Sequence, residues 1–253
     1  MIFDTHAHYD DEAFDSDRDI LLSSFNKKGI GLVIDPGCDL ESCQKSIQLS
    51  EKYSFIYSAI GVHPEEIDGL SENDIEGVYK LLEHPKCVAV GEIGLDYYWN
   101  KSNKDLQKQI FQMQLEWAIE YNLPVIIHDR EAHGDALEIV EHFPTVRGVF
   151  HCFSGSVEMA QRLLSLGWYL GFDGPITYKN NKKQIEVLNQ CPMDRILIET
   201  DSPYLSPVPM RGRRNDSSNL IYIVDRIAEV KGVSKETIIS ETTANGKRLF
   251  GIP

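Results

Sequence analysis

Short runs of apolar and β-branched residues recur along the whole chain, and polar-rich stretches with apolar residues every three or four positions separate them. Runs of this length are typical of buried strands, whereas the longer stretches are typical of helices packed on one face. We therefore predict eight strands, at residues 2–6, 31–36, 56–62, 88–93, 124–128, 146–150, 168–172 and 196–199.

The clearest helical pattern follows the fourth predicted strand. Two Ser-x-x-Asp sequences, at 71–74 and 102–105, resemble capping boxes and predict helix starts. Two further helical segments, 218–231 and 234–250, follow the last strand and are expected to close the fold. The helix after the fourth predicted strand has apolar residues at i, i+4, i+7, i+11 and i+15, which are predicted to form its packed face, namely Leu106, Ile110, Met113, Trp117 and Tyr121.

Strict alternation of strands and helices predicts a parallel sheet, because a crossover helix returns the chain in the same direction. Eight such units favour an α/β fold of the (β/α)8 TIM-barrel type, with the active site at the C-terminal ends of the strands. A doubly wound open sheet is the alternative. The 253 residues show no linker or repeat, so we expect one domain over 1–253.

The charge of the chain and its N-terminal sequence do not change the expected fold. The formal net charge of −14 argues against a broad basic surface, so metal ions and a few local cations would have to hold a polyanionic substrate. The chain start lacks a basic region followed by an apolar run, and no apolar stretch approaches about 20 residues. We expect a cytoplasmic protein with neither a membrane segment nor an obligate protein partner.

The five cysteines are odd in number, scattered, and without a Cys-x-x-Cys spacing. Neither a disulfide framework nor a thiolate zinc site is indicated, and reduced thiols are expected. The residue after His151, Cys152, is expected to pack away from the site because neighbouring strand residues face opposite ways.

Five of the eight histidines lie at or just after the end of a predicted strand. Asp4, His6 and His8 occupy alternate positions, which predicts that they share one strand face. Neutral imidazole is the commonest protein metal ligand. His84, His133 and His142 fall in or beside helices and are expected to be solvated surface residues, whereas the mouth histidines are His6, His8, His63, His128 and His151.

Two carboxylates, Glu92 and Asp201, join this set at the ends of strands four and eight. A barrel would bring both to the same mouth as the histidines, in a constellation large enough for two divalent ions. Glu92 is the candidate bridge between the ions, and Asp201 the candidate ligand that accepts a proton from the attacking water. The predicted metal ligands are His6, His8, Glu92, His128, His151 and Asp201.

Asp4 and Glu199 precede His6 and Asp201 by two residues, where a carboxylate can orient a ligand from behind. A plain buried hydrogen-bonding role is the alternative for both. We count Glu199 with Glu92 and Asp201 as the carboxylates expected to serve catalysis.

Six segments in order resemble the TatD family of metal-dependent deoxyribonucleases, within the amidohydrolase-like superfamily. The similarity covers nearly the whole chain, and its segments are residues 3–8, 61–64, 90–97, 127–130, 151–155 and 199–204. It implies a (β/α)8 barrel with one ion near His6, His8, Glu92 and Asp201 and another near Glu92, His128 and His151. The ions would be Mg²⁺, Mn²⁺ or Zn²⁺.

The resemblance also implies the substrate, which is DNA trimmed from the 3′ end, often as single strands. Residues implied to face it are His63 and the basic stretch 211–215, in which Arg211 and Arg213 are the candidate phosphate contacts and a merely solvated loop is the alternative. Two positions depart from the family pattern, since Glu65 stands where a second histidine is frequent and Asp216-Ser217 where Glu-Pro is frequent. Both lie in predicted substrate loops, so they bear on substrate preference rather than on metal binding.

The function expected from these observations is hydrolysis of a phosphodiester by water at a dinuclear site. The main alternative is a hydrolase of a small molecule, a lactone, amide or phosphomonoester, on the same barrel. Aromatic residues at the mouth would favour nucleic acid, because bases stack on rings; Tyr97, Tyr98 and Trp99 are the candidates beside Tyr204. A barrel without turnover is disfavoured by the complete set of six candidate ligands.

Overall fold

Eight parallel strands form one sheet in the order of the sequence in the computed structural model, which describes residues 1–99 and 101–253. Sequential order excludes the doubly wound alternative, in which the strand order reverses within the sheet. The strands are β1 Ile2–Asp4, β2 Ile30–Pro36, β3 Ile56–Ile60, β4 Cys87–Asp96, β5 Val125–Arg130, β6 Gly148–Phe150, β7 Tyr169–Phe172 and β8 Ile196–Ile198.

Helices alternate with the strands, as predicted for a TIM barrel. After the last strand, α9 packs against β1 and β8. It closes the floor of the barrel, which is the end opposite the C-terminal ends of the strands. The helices are α1 Arg18–Ser24, α2 Leu40–Lys52, α3 Glu72–Leu81, α4 Lys104–Glu120, α5 His133–Glu141, α6 Val157–Ser165, α7 Lys182–Gln190, α8 Leu220–Lys231 and α9 Lys235–Phe250.

The first and last strands meet through backbone hydrogen bonds beyond their ends. The Thr5 N–H donates to the Ile198 carbonyl at 3.2 Å, the Asp201 N–H to the His6 carbonyl at 2.9 Å, and the His8 N–H to the Ser202 carbonyl at 2.7 Å. This seam nearly closes the barrel. It also brings the segment after β1 against the segment after β8, at the C-terminal end where the strands converge.

A compact apolar cluster lies inside the barrel, and a larger one lies between the strands and the helices. Leu249, Phe250 and Ile252 join the inner cluster from the floor. Every strand contributes to the inner cluster, β4 with two residues and the others with one each: Phe3, Ile34, Ala59, Val88, Ala89, Ile126, Val149, Tyr169 and Leu197. This cluster fills the interior between the floor and the C-terminal ends of the strands.

Two local predictions are wrong. Strand β1 ends at Asp4 rather than His6, so the alternation that was to align Asp4, His6 and His8 stops after the first of them. Helix α4 begins at Lys104 with Asn103 as its N-cap, so the predicted capping box at Ser102 does not form. The box at Ser71 and Asp74 is confirmed, with each side chain bonding the other residue's backbone N–H.

The predicted packed face of α4 is confirmed except at one residue, because Trp117 is buried and Ile110, Met113 and Tyr121 pack against the core. Leu106 is 38% exposed, whereas the polar Gln107 and Gln114 are buried. The Gln114 amide accepts from the Val62 N–H at 2.7 Å and donates to the Val62 carbonyl at 3.0 Å. Gln107 makes the same pair of bonds with Asp96, at 2.8 and 2.9 Å. These amides hold the chain just beyond β3 and the end of β4, which carry His63 and Glu92.

Candidate metal centre

Glu92 is the centre of the polar cluster at the mouth of the barrel. It lies on β4, is 3% exposed, and its two carboxylate oxygens face different groups of histidines. Oε2 lies 3.1 Å from His6 Nε2 and 3.6 Å from His8 Nε2. Oε1 lies 2.9 Å from His128 Nδ1, 3.2 Å from His151 Nε2 and 3.6 Å from His63 Nε2.

Asp201 completes the first group. Its Oδ1 lies 3.6 Å from His6 Nε2 and 3.5 Å from His8 Nε2, and these two nitrogens are 3.1 Å apart. Asp201 has a left-handed backbone, with φ of 54°, which is uncommon outside glycine and is a frequent sign of a functional position. The structure thus brings all six predicted metal ligands together, in the two groups that the family resemblance implied.

The spacing of these atoms suits a metal ion. Ligands about 2.1 Å from a common ion lie about 3.0 Å apart in octahedral and about 3.4 Å apart in tetrahedral geometry. The donor atoms of the first group are separated by 3.1 to 3.6 Å. Neutral imidazole nitrogens and carboxylate oxygens are suitable donors for Zn²⁺ and Mn²⁺.

Two of these histidines are oriented as metal ligands by a group that contacts the ring nitrogen on the side away from the cluster. The Nδ1 of His8 lies 3.1 Å from the Pro36 carbonyl oxygen, which can only accept a hydrogen bond, so Nδ1 carries the proton. The lone pair of Nε2 is then free to bind a metal. His151 Nδ1 lies 3.3 Å from Glu199 Oε1, in ion-pair rather than hydrogen-bond geometry, and its Nε2 faces Glu92. Glu199 itself is fully buried beneath the cluster.

Asp96 supports His128 in the same way. Its Oδ2 lies 3.0 Å from His128 Nε2. Burial would lower the pKa of His128, but the bonds to Asp96 and Glu92 raise it to about 9. Asp96 was not predicted as a functional residue, although it lies four residues after Glu92 on one strand and alternation would place both side chains on one face.

His63 differs from the other mouth histidines. Burial and the neighbouring His128 lower its pKa to about 3, so the ring is neutral. Its Nδ1 accepts from the Glu65 N–H at 3.2 Å, which places the ring proton on Nε2, the atom that faces the centre. His63 is therefore a hydrogen-bond donor toward the cavity.

Electrostatics keep the carboxylates ionised. Burial alone would raise the pKa of Glu92, but the positive charge of His151 and the hydrogen bond with His128 hold it well below its usual range. The pKa of Asp201 is lowered against its burial by the bond to His8 and by the charges of His151 and His6. Both are thus available as anionic ligands at neutral pH.

Asp4 lies behind the seam rather than in the cluster. Its carboxylate accepts from the Thr200 N–H at 3.0 Å, the Thr200 hydroxyl at 2.7 Å and the Ser217 hydroxyl at 2.6 Å. Burial raises its pKa to about 7. Its contacts fix the residue before Asp201, and so the position of that carboxylate.

A cavity of about 910 Å³ opens above the cluster. Tyr204 and His63 line it, whereas Arg211 and Arg213 are not among its lining residues. Arg211 instead lies over the Tyr178 ring, 4.3 Å from its centroid. The cavity's lysine and arginine lining, within the described residues, comes from Lys183 and Arg130, both overlooked in the sequence; Arg130 follows His128 by two residues, so alternation pointed to it.

Cys152 lines this cavity too, which contradicts the expectation that it packs away from the site. Strand β6 ends at Phe150 and Cys152 has φ of 43°, so the alternation of a strand no longer applies there. The five cysteines are free thiols, as expected. His84, His133 and His142 are absent from the lining of the cavity and lie on helices or beside them.

Comparison with known proteins places this site in a family. The family model described as TatD related DNase matches residues 3–251. The chain belongs to this family. It is 44% identical over 254 residues to the uncharacterized metal-dependent hydrolase YabD of Bacillus subtilis (strain 168), with all of both chains covered. It is 32% identical over 258 residues to the 3′-5′ ssDNA/RNA exonuclease TatD of Citrobacter koseri, with 99% of each covered.

A solved member of the TatD family has the same fold. The crystal structure of YjjV, a TatD homologue from Escherichia coli K12, superposes with a TM-score of 0.94 at 30% identity and covers 100% of this chain and 98% of its own. The chain is thus a metal-dependent hydrolase of the TatD family, with clustered histidines and carboxylates that can bind metal. Within the described residues no helix is long and apolar enough to cross a bilayer.

Proposed function

We propose that this chain is a deoxyribonuclease that uses two divalent ions to hydrolyse phosphodiester bonds at the 3′ end of single-stranded DNA. The observation that carries the proposal is the division of the Glu92 carboxylate, with one oxygen toward His6 and His8 and the other toward His128 and His151. One carboxylate that bridges two ions is the usual core of two-metal phosphodiester hydrolysis. The name of the Citrobacter koseri relative supports the substrate.

The residues of each group have defined parts in this proposal. One ion would be held by His6, His8, Glu92 and Asp201, and the other by Glu92, His128 and His151. Divalent ions held there would lower the pKa of bound water and neutralise charge on the phosphate oxygens.

Asp201 accepts the proton of the attacking water, because it is ionised and borders the first group. The water oxygen forms the new bond to phosphorus, the bond from phosphorus to the leaving sugar oxygen breaks, and that oxygen takes up a proton from solvent. His63 Nε2–H donates a hydrogen bond to a phosphate oxygen above the centre. Glu199 and Asp96 hold His151 and His128 in place from behind.

The test uses purified protein, freed of metal by chelation, and a short single-stranded DNA labelled at its 5′ end. Added Mg²⁺ or Mn²⁺ should produce a ladder of shortened products, and a 3′ label should be released at once as a mononucleotide. Glu92→Gln and Asp201→Asn should abolish the ladder. Glu72→Gln is the matched control, because Glu72 is exposed on α3 and does not line the cavity.

A small-molecule hydrolase on the same barrel predicts a different result. Lactones, amides or phosphomonoesters would then be turned over far faster than DNA by the same metal-loaded protein. That outcome, with the same loss in Glu92→Gln, would retain the metal centre and overturn the nuclease.

A further inference from the structure

Two large aromatic side chains are exposed immediately after β4. Tyr98 is 46% and Trp99 61% exposed, and their ring centroids are 4.8 Å apart in an edge-to-face arrangement. The other two tryptophans, Trp117 and Trp168, are buried. Trp99 lines the cavity above the metal centre, so an extended apolar ring face is available beside the chemistry.

The turn that carries this pair is fixed by Asp96. Its Oδ1 accepts from the backbone N–H groups of Tyr98 at 2.8 Å and Trp99 at 2.9 Å, and the carboxylate is fully buried. The other oxygen of the same group lies 3.0 Å from His128 Nε2. The Asp96 side chain therefore holds both the turn that carries Tyr98 and Trp99 and the candidate metal ligand His128. These contacts fix the distance between the aromatic pair and the metal centre.

Arg130 packs on the aromatic pair from the neighbouring strand. Its guanidinium carbon lies 4.2 Å from the Tyr98 ring centroid and 5.4 Å from that of Trp99. No carboxylate in residues 1–99 or 101–253 forms a salt bridge with it, so its charge is available to a ligand. Arg130 pairs with Asp96 across β4 and β5, two residues or about 6.6 Å beyond His128.

The charge of the cavity makes this position distinctive. Acidic residues line it after β1, β2 and β3, among them Asp11, Asp39 and Glu66, whereas Arg130 on β5 and Lys183 on α7 lie on the other side. Asp129, the acidic residue next to Arg130, lies 2.7 Å from His133 Nδ1. A polyanion that reaches the centre is therefore repelled by the first side and attracted to the second, where Arg130 lies beside Trp99.

We infer that Trp99 and Arg130 form a subsite for one unpaired nucleotide of the substrate strand: the base stacks on Trp99 and Arg130 binds a phosphate. The inference rests on the proposed function and adds to it the part of the strand that is recognised. Stacking on an aromatic ring needs a base whose face is uncovered, which single strands offer and duplexes do not. The subsite thus selects single-stranded ends without reading their sequence.

Binding is measured without turnover on the Mg²⁺-loaded protein with a short oligothymidylate that has phosphorothioate linkages, at low fixed salt. Because Trp99 is the exposed tryptophan, its emission reports the subsite, and we expect quenching that saturates with the oligomer. An abasic oligomer of equal length and linkage carries the same charge without bases. It should bind at least fivefold more weakly, because base stacking contributes about 1 to 3 kcal/mol.

Variants distinguish the contribution of the base to binding from that of the phosphate. Binding is measured by the fluorescence anisotropy of a labelled oligomer. Trp99→Ala should weaken the binding of oligothymidylate by about 5- to 160-fold and leave that of the abasic oligomer unchanged, whereas Trp99→Phe should retain most of the affinity. Arg130→Ala should weaken both oligomers. Ile20→Ala, which truncates an exposed apolar side chain outside this cavity, should change neither.

Equal affinity for the two oligomers, or no effect of Trp99→Ala, would overturn the subsite even if the chain degrades DNA. No binding of either oligomer would also overturn it and would leave the aromatic pair as a surface for another partner. Conversely, base-dependent quenching in a protein that cleaves no DNA would support the subsite and overturn the proposed nuclease.

Discussion

Glu199 lies directly behind His151, with Oε1 3.3 Å from Nδ1 of the ring, while Nε2 of the same ring lies 3.2 Å from Glu92. The Glu199 carboxylate also accepts from the Cys152 N–H at 2.5 Å. Burial opposes a charged His151, but Glu92 and Glu199 together raise its pKa well above its usual value. Glu199 thus orients the ring and makes it a stronger ligand, without reaching the cavity itself.

Replacing Glu199 tests this positioning role. Glu199→Gln retains the size of the side chain but removes the charge behind His151. We expect metal affinity or kcat to fall by about 10- to 100-fold, as for other partners of metal-ligating histidines. Metal titrations should show the loss, and added Mn²⁺ should partly restore activity. An unchanged metal affinity would show that Glu199 only fills space.

Gly171 on β7 gives an independent way to disturb the same carboxylate. A Cβ at this position would lie 2.4 Å from Glu199 Oε1, closer than real side chains approach. Gly171→Ala should therefore displace Glu199 and reproduce the weakened metal binding of Glu199→Gln. The double variant should bind metal no more weakly than either single variant. Additive losses would contradict the shared mechanism.

The barrel and the ligand set could be predicted because they depend on local patterns. Strand runs and the placement of His128, His151 and Asp201 at strand ends are visible in the sequence, and topology then brings them together. The backbone between elements could not be predicted in this way. Alternation fails after Asp4 and after Phe150, where the strands end, and it misplaced Cys152 for that reason.

Polar contacts between residues far apart in the chain could not be predicted from the sequence pattern either. Gln107 and Gln114 occupy positions that an amphipathic pattern assigns to solvent, yet each pairs with backbone groups of another element. The contact between Arg211, which the family resemblance implied to face substrate, and the Tyr178 ring likewise has no counterpart in the sequence pattern. Such contacts depend on how loops pack, which no periodicity encodes.

The buried amide of Gln114 should stabilise the fold as well as position the chain before His63. Gln114→Ala leaves the Val62 N–H and carbonyl buried without partners, at a cost of about 1 to 3 kcal/mol for each group. We expect the free energy of unfolding to fall by about 2 to 6 kcal/mol, the sum for the two groups, in denaturant titrations. The exposed Gln112 on the same helix is the control, and Gln112→Ala should change stability by less than about 0.5 kcal/mol. Equal losses would refute the role.

Asp173, just after β7, predicts a pH dependence of stability. Burial, with Glu199 nearby, raises its pKa to about 8 from an ordinary value of 3.8. Between these values the folded protein holds a proton that the unfolded chain has lost, so this residue makes stability fall as pH rises toward 8. The effect is fully expressed above pH 8 and absent below about pH 4.

Asp173→Asn removes that proton linkage. In chelated protein, the stability of the variant relative to the wild type should increase as the pH is raised from 4 to 8, by about 1.4 kcal/mol per pH unit at most. Denaturant midpoints across this range measure the difference, with Asp105→Asn on an exposed helix as control. A difference that does not vary with pH would mean that Asp173 is ionised in the folded protein.

The division of the Glu92 carboxylate between two groups is tested most directly by anomalous diffraction from crystals soaked in Mn²⁺. We predict two peaks about 3.5 to 4 Å apart, one among His6, His8 and Asp201 and the other between His128 and His151, with Glu92 touching both. A single peak, or two peaks that do not share Glu92, would contradict the account.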